Sequence, residues 1–525
     1  MMPKLTDQQH RNLAFWGMAC IAIGLPLSVF LVSIGLFVLS GNWLLEARYK
    51  ERVTQFIKDP LSLISASIYL LFVVGMFWTE NLDEGLKELR VKLPILLLPF
   101  LLFTSKMPSN KRLQDILMLF VVGCVIGTSL GMIHYLVEND GDILNKRKLS
   151  VVISHIRFGL MLVLAIFILI YYLTKKWKLW SLTERVLAIA TAIWFFFFMV
   201  LMETATAFLA FIVLASLSLL RLFIKSSNYK LKAVVFTTML LGAIACLIYV
   251  NAIRLNNNFE VPHNQLSLTV KTLNGNYYSH QKDVPYTENG HRVWNFVCMD
   301  ELEREWPKYS DMNFADDDES GQPIKFTMIR YLSSLGVKKD SAGLNTISAA
   351  DVAFIEKGYT NYKYTSKWGV SRRIAQMFWQ VGAYQYHGSS NHSSLLMRWV
   401  YFKVGLDIML NNPVLGVGTG DMRLAYRSAY DKDDRGMLPK FQDISHNQFL
   451  SVGIVVGLSG LLWFIFALLF PVGLYYKDYL YLMFIALVLT SFLTDNTLGT
   501  QSGVTLFAFF NSLLIIRKEF SDTDG

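Results

Sequence analysis

The chain alternates long apolar runs with short polar loops. Continuous runs of roughly 16 to 24 residues are long enough to be membrane spans, since a helix needs about 20 apolar residues to cross the hydrocarbon core. They lie at 60–78, 113–136, 158–174, 184–202, 204–223, 233–251, 447–470, 478–493 and 501–516. A shorter run occupies 92–104. The first stretch, 14–44, is too long for one span, and the proline of LPLS at 25–28 predicts a break into two short helices.

The charges of the loops predict the orientation. The runs indicate about twelve spans, and a cytoplasmic N-terminus places most lysine and arginine residues of the short loops inside, as the positive-inside rule requires. Both termini are then cytoplasmic, and the first span is retained as an anchor. The predicted divisions are 1–251 with spans 1–9, 252–445 as one large outer loop, and 446–525 with spans 10–12 and a cytoplasmic tail.

The outer loop is long enough to be a partly folded, partly helical subdomain. Apolar residues recur at helical spacing in 292–306, in SAADVAFIEKGY at 348–359 and from Ser394 to Leu410. The acidic segment FADDDESGQP at 314–323 predicts a solvated turn.

Composition agrees with a membrane protein: of 525 residues, 53% are hydrophobic and 17% charged. The net charge of +9 comes from the predicted cytoplasmic rim, so it does not indicate nucleic-acid binding. Three of the four cysteines, Cys20, Cys124 and Cys246, fall in apolar runs, and Cys298 has no obvious partner. No disulfide framework is expected.

Arg157 is the first candidate for chemistry, because SHIRFGLML places it at the outer end of a predicted span. One interpretation is an anchor at the level of the lipid headgroups. The other is a phosphate clamp, since a guanidinium keeps its charge and donates two parallel hydrogen bonds to an anion. His155 beside it is a secondary candidate.

A second candidate segment is MRWVYFKVGLDIMLNNPVLGVGTGD at 397–421. Arg398 begins an amphipathic helix, NNP ends it, and a glycine-rich turn leads to Asp421. The turn lacks the Gly-Lys-Ser/Thr ending of a nucleotide-binding phosphate loop, so the glycines alone indicate only a tight turn.

The third candidate is ISHNQFL at 444–450, directly before a long apolar run. Ser445 or Asn447 can cap the helix that begins there. His446 can serve as a general base, because an imidazole accepts a proton near neutral pH. A purely structural role for His446 is the alternative.

At these places the chain resembles the O-antigen ligase and polymerase family, in which lipid-linked glycans are transferred by proteins with a large periplasmic loop. The resemblance rests on LPLS at 25–28, Arg157, Arg398 with PVLGVG at 413–418, and His446 with Asn447. The loop segment IRYLSSLGVKKDSAGLNTISAADVAFIEKG is similar to long-loop members. It implies an all-α, GT-C-like polytopic transferase of the bacterial inner membrane.

The resemblance also implies roles for residues. Arg157 and Arg398 would bind the donor pyrophosphate, and His446 would accept the proton of the acceptor hydroxyl. Many relatives carry a serine-arginine pair where this chain has METATAFLA at 201–209. Arg372 or Arg373 would then replace that arginine, and Asn447, Asp421 and His155 are secondary site candidates.

The function expected is transfer of a glycan from undecaprenyl pyrophosphate to lipid A-core, by metal-independent inversion and without a cofactor. A polymerase that extends a lipid-linked glycan is the alternative; the single large outer loop before the last three spans favours the ligase. A transporter would also have about twelve spans, but the middles of these spans contain almost no ionisable residue. The expected partners are the donor, the acceptor and membrane lipids, without nucleic acid.

Overall fold

The computed structural model describes residues 5–138, 149–150, 152–256, 269–281, 284, 287–365, 374–381, 384, 391, 393–432 and 437–523. The chain forms two compact units. The first contains 1–232, 401–432 and 443–525, and the second contains 233–400 and 433–442.

The first unit is built from helices. They are Asp7–Leu27, Val29–Glu46, Tyr49–Lys58, Pro60–Val74, Leu82–Lys92, Pro94–Thr104, Asn110–Glu138, His155–Lys175, Leu182–Leu201, Ala205–Lys225, Met422–Lys432, Gln448–Tyr475, Tyr479–Thr494 and Gln501–Thr523. Two further helices, Tyr229–Asn256 and Ser394–Asn411, contain the positions at which the chain passes from one unit to the other.

Eight of the described helices are long and apolar enough to cross a membrane, and Tyr479–Thr494 and Gln501–Arg517 are shorter apolar helices. The predicted all-α polytopic class is therefore confirmed. His155–Lys175 is the most enclosed of the eight, with 72% of its apolar window buried. It packs against neighbouring helices on several sides, which fixes the position of the residues in its first turn.

The predicted break in the first apolar stretch lies at Ser28, between the helices Asp7–Leu27 and Val29–Glu46. The Ser28 hydroxyl accepts a hydrogen bond from the backbone N–H of Leu31 and so caps the second helix. Pro26 remains inside the last turn of the first helix. Each helix is about as long as the hydrocarbon core is thick, rather than short.

The second unit contains an irregular subdomain with small helices. These are Met299–Glu305, Ile324–Leu335, Ser341–Leu344 and Ala349–Glu356, beside the antiparallel strands Thr287–Glu288 and His291–Arg292. The expected helix at 348–359 is present, with a capping box at Ser348. The one expected over 292–306 is wrong in its first half, because Val297 forms β-bridges and the helix begins only at Met299.

Buried polar groups hold this subdomain together. Arg330 donates through Nε and Nη2 to the buried Glu288, at 2.8 and 2.7 Å, and Asn361 donates to the same carboxylate. The turn at 314–323 is not fully solvated: Asp318 is buried and accepts from the Thr327 hydroxyl at 2.5 Å. Satisfied partners allow these charges to be buried, since an unpaired buried charge is costly.

Candidate active site

A cavity of about 200 Å³ lies within the first unit. One part of its lining contains Arg157, His446 and Asp495. Another part comes from the amphipathic helix, as we call Leu82–Lys92, together with Arg423. The cavity therefore brings together residues from distant parts of the chain.

Asp495 links the two sequence-predicted residues. Arg157 Nη2 donates to Asp495 Oδ2 at 3.5 Å, and His446 Nδ1 lies 3.4 Å from Asp495 Oδ1. The side chains of Arg157 and Asp495 are 13% and 9% exposed, whereas that of His446 is 31% exposed. Both contacts are at the long end of hydrogen bonding, so neither partner is held as tightly as in a short ion pair.

Asp495 is a site residue that sequence reasoning missed. It lies just beyond the end of the helix Tyr479–Thr494, as its C-cap. Burial raises the pKa of Asp495, but the hydrogen bond with His446 and the positive charge of Arg157 outweigh this effect, and the net pKa is lowered. Asp495 is therefore ionised at neutral pH. The available signal was an acidic residue interrupting the last two apolar runs, in SFLTDNTLG at 491–499.

Arg157 lies in the first turn of the helix His155–Lys175. Its Nε is buried without a hydrogen-bond partner. The guanidinium thus has donor capacity that Asp495 does not use. Unused donors on a cation lining a cavity suit a multidentate anion.

His446 is fixed by its sequence neighbours. The Asn447 side chain accepts from Leu450 N at 2.9 Å, which caps the helix Gln448–Tyr475, and it donates to Leu493 O at 3.3 Å. Gln448 Oε1 accepts from Leu498 N at 2.7 Å. These bonds tie the start of this helix to the loop that carries Asp495. Asn447 accordingly has a structural function here.

The glycine turn, 413–421, repairs a break in the helix Gln448–Tyr475. Gly457 has φ +70°, a conformation that interrupts the helical hydrogen bonds. Val417 N donates to Ile454 O at 2.8 Å, and Leu458 N donates to Pro413 O at 2.8 Å. The turn satisfies backbone groups that would otherwise be unpaired inside an apolar helix.

Asp421 ends the glycine turn and holds the amphipathic helix. Its two carboxylate oxygens accept from Glu80 N at 2.8 Å and Asn81 N at 2.9 Å, the amides directly before that helix. Sequence reasoning placed Asp421 among the secondary site candidates but gave no role to 80–92. The structure gives Asp421 a positioning contact, with its side chain directed to these amides rather than to the Arg157 cluster.

Gly420 permits this contact. A Cβ at Gly420 would lie 2.1 Å from Asn81 O and 2.8 Å from Gly85 N, both backbone atoms that cannot move aside separately. We expect Gly420→Ala to displace the amphipathic helix, lower the stability by about 1–3 kcal/mol as overpacking does, and reduce transfer. Thermal unfolding in detergent and a transfer assay measure both effects.

Gly473→Ala is the matched control, because a Cβ there meets nothing within 4 Å. Equal behaviour of the two alanine variants would show that the close approach at Gly420 is not required.

The remaining candidates are placed as follows. His155 begins the helix that carries Arg157. Arg398 lies on Ser394–Asn411, in the second unit, and its role stays a prediction. Arg372 and Arg373 lie outside the described residues.

At METATAFLA, where relatives have the serine-arginine pair, the chain makes a close helix contact instead. A Cβ at Gly159 would lie 2.7 Å from the Cβ of Ala207. Small residues at both positions bring the helices His155–Lys175 and Ala205–Lys225 together, as in other membrane helix pairs.

Residues 367–465 match the family model Wzy_C, O-antigen ligase. The matched segment includes Arg398, the glycine turn and His446, so the resemblance seen in the sequence is confirmed there. A comparison with curated proteins found no match.

Proposed function

We propose that this protein is an O-antigen ligase-type glycosyltransferase. It transfers a glycan from undecaprenyl pyrophosphate to a lipid A-core acceptor at the periplasmic face of the bacterial inner membrane. The observation that carries the proposal is the Arg157, Asp495 and His446 cluster in one cavity, formed partly by the segment that matches the O-antigen ligase model.

His446 acts as the general base. When its Nδ1–H donates to Asp495, the Nε2 lone pair is left to accept the proton of the acceptor hydroxyl. The ionised Asp495 favours this tautomer and stabilises the imidazolium that forms, as the carboxylate does in other carboxylate-histidine pairs.

Arg157 binds the donor pyrophosphate. Its charge and unused donors stabilise the negative charge that develops on the leaving group. Arg398 is the second cationic ligand in this proposal, on the family pattern. Loss of a proton from the acceptor to His446 adds positive charge to the cluster as the leaving group gains negative charge, so the two changes compensate each other.

The reaction is a single displacement. The acceptor oxygen forms a bond to the anomeric carbon, the bond from that carbon to the pyrophosphate oxygen breaks, and the proton passes to His446. Attack opposite the leaving group inverts the anomeric configuration. Cleavage of the pyrophosphate linkage supplies the driving force.

The test is reconstitution of the purified protein with undecaprenyl pyrophosphate-linked glycan and with lipid A-core. We expect glycan joined to the core, with inverted anomeric configuration by NMR. Products that instead contain longer lipid-linked glycan would identify a polymerase. No transfer to either acceptor would contradict the proposed function.

The topology behind this proposal has its own test. We expect a phosphatase fused after Gly321 to be active and one fused after Lys477 to be inactive, because the lysine and arginine distribution places 252–445 outside and 477 inside. Alkaline phosphatase activity in intact cells measures this. The reverse pattern would contradict the orientation.

A further inference from the structure

The cavity has a part that the proposed reaction does not use. Four charged side chains line it: Glu84, Glu88 and Lys92 of the amphipathic helix, and Arg423. The helical residues recur every four positions, so they share one face of the helix. We call these four residues the ion-paired wall.

The charges of the ion-paired wall compensate each other. Lys92 pairs with Glu88, lies 4.7 Å from the centre of the Phe72 ring, and has a side chain only 5% exposed. Arg423 Nε lies 3.9 Å from Glu84 Oε1. Two carboxylates and two cations give the wall no net charge. It therefore lacks the excess of positive charge that a pyrophosphate requires.

Another polar group faces no protein partner. Thr500 lines the same cavity, and its hydroxyl oxygen is buried without a hydrogen bond. A buried hydroxyl left unpaired costs free energy, so such a group on a cavity wall indicates a partner that enters the cavity.

We infer that the ion-paired wall is a subsite for a neutral sugar ring; this inference rests on the proposed function. Each sugar hydroxyl is both a donor and an acceptor, and the wall offers carboxylate acceptors beside ammonium and guanidinium donors. Charged partners strengthen such hydrogen bonds. The pyrophosphate then lies at Arg157 and the sugar lies against the amphipathic helix.

The sugar has two possible sources, the glycan of the donor and the terminal ring of the acceptor. Both present the same hydroxyl chemistry. Asp421 and the glycine turn hold the amphipathic helix in place for either source. The kinetic arms of the experiment separate them.

The experiment compares Glu84→Gln and Glu88→Gln with the native full-length protein in detergent. Initial rates are measured with the undecaprenyl pyrophosphate-linked glycan and the lipid A-core varied in turn. Binding of sugar-free undecaprenyl pyrophosphate is measured separately. Asp83→Asn is the matched control, since Asp83 lies on the same helix, is exposed and does not line the cavity.

We expect each glutamine variant to raise one KM by roughly tenfold or more, the effect of losing a charged hydrogen bond. A higher KM for lipid A-core assigns the subsite to the acceptor, and a higher KM for the donor glycan assigns it to the donor. Binding of sugar-free undecaprenyl pyrophosphate should not change in either case. Glu84 is the main test, because Glu88→Gln also removes the partner of the buried Lys92.

Unchanged KM values in Glu84→Gln, or weaker binding of sugar-free undecaprenyl pyrophosphate, would overturn the sugar subsite while the proposed function stands. Equal effects in Asp83→Asn would also overturn it, because they would show a general effect of helix charge. Absence of transfer by the native protein would overturn the proposed function itself.

Discussion

His446→Ala is expected to lower turnover by about 10²–10⁴-fold, the usual contribution of general acid-base catalysis. The imidazole lies beside an ionised Asp495 and lines the cavity, so its loss removes the proton acceptor while the donor site at Arg157 remains. Single-turnover kinetics on protein saturated with the lipid-linked glycan measures the chemical step directly.

Binding of undecaprenyl pyrophosphate must be measured on the same preparations. We expect it to persist in His446→Ala and in His446→Gln, which keeps a polar side chain but is not a base at neutral pH. His134→Ala, in the helix Asn110–Glu138, is the control for loss of a histidine away from the cavity. Lost binding with normal turnover of bound donor would instead make His446 a donor ligand.

Arg157→Ala is expected to reduce kcat/KM by at least about 10²-fold, the effect of removing a donor that stabilises developing negative charge. The donor should also bind more weakly. Arg157→Lys should rescue poorly, because an ammonium keeps the charge but loses the planar fork of donors. Undecaprenyl pyrophosphate binding and initial rates on both variants check these expectations.

The control for Arg157 is Arg90→Ala, which removes an exposed arginine from the amphipathic helix. Its transfer rate should stay near that of the native protein. Because Arg157 also contacts Asp495, the lysine variant is the more informative one: it leaves a positive charge near that carboxylate. Full activity of Arg157→Lys would indicate simple charge attraction rather than bidentate binding.

Local patterns in the sequence predicted much of the fold. Long apolar runs form helices because a helix satisfies its own backbone hydrogen bonds. The break at LPLS and the capping of the next helix by Ser28 depend on residues within a few positions of each other. The same holds for Asn447, which caps the helix that follows His446. Such features can be read from one short segment.

The meaning of the glycine turn required the tertiary structure. The sequence showed a tight turn ending in an aspartate, but its partners are Ile454, Gly457 and the amides before the amphipathic helix. Those contacts join segments more than 300 positions apart, from Asn81 to Asp421. No local pattern contains them.

Taken by itself, the sequence determined the helical membrane class and identified Arg157 and His446 as chemically unusual residues. Only the tertiary structure decided that Asp495 lies between them and that Glu84 and Glu88 line the same cavity. The physical reason is range: apolar periodicity and capping act over a few residues, whereas a cavity forms where helices far apart in the chain pack together and leave their polar ends facing one another.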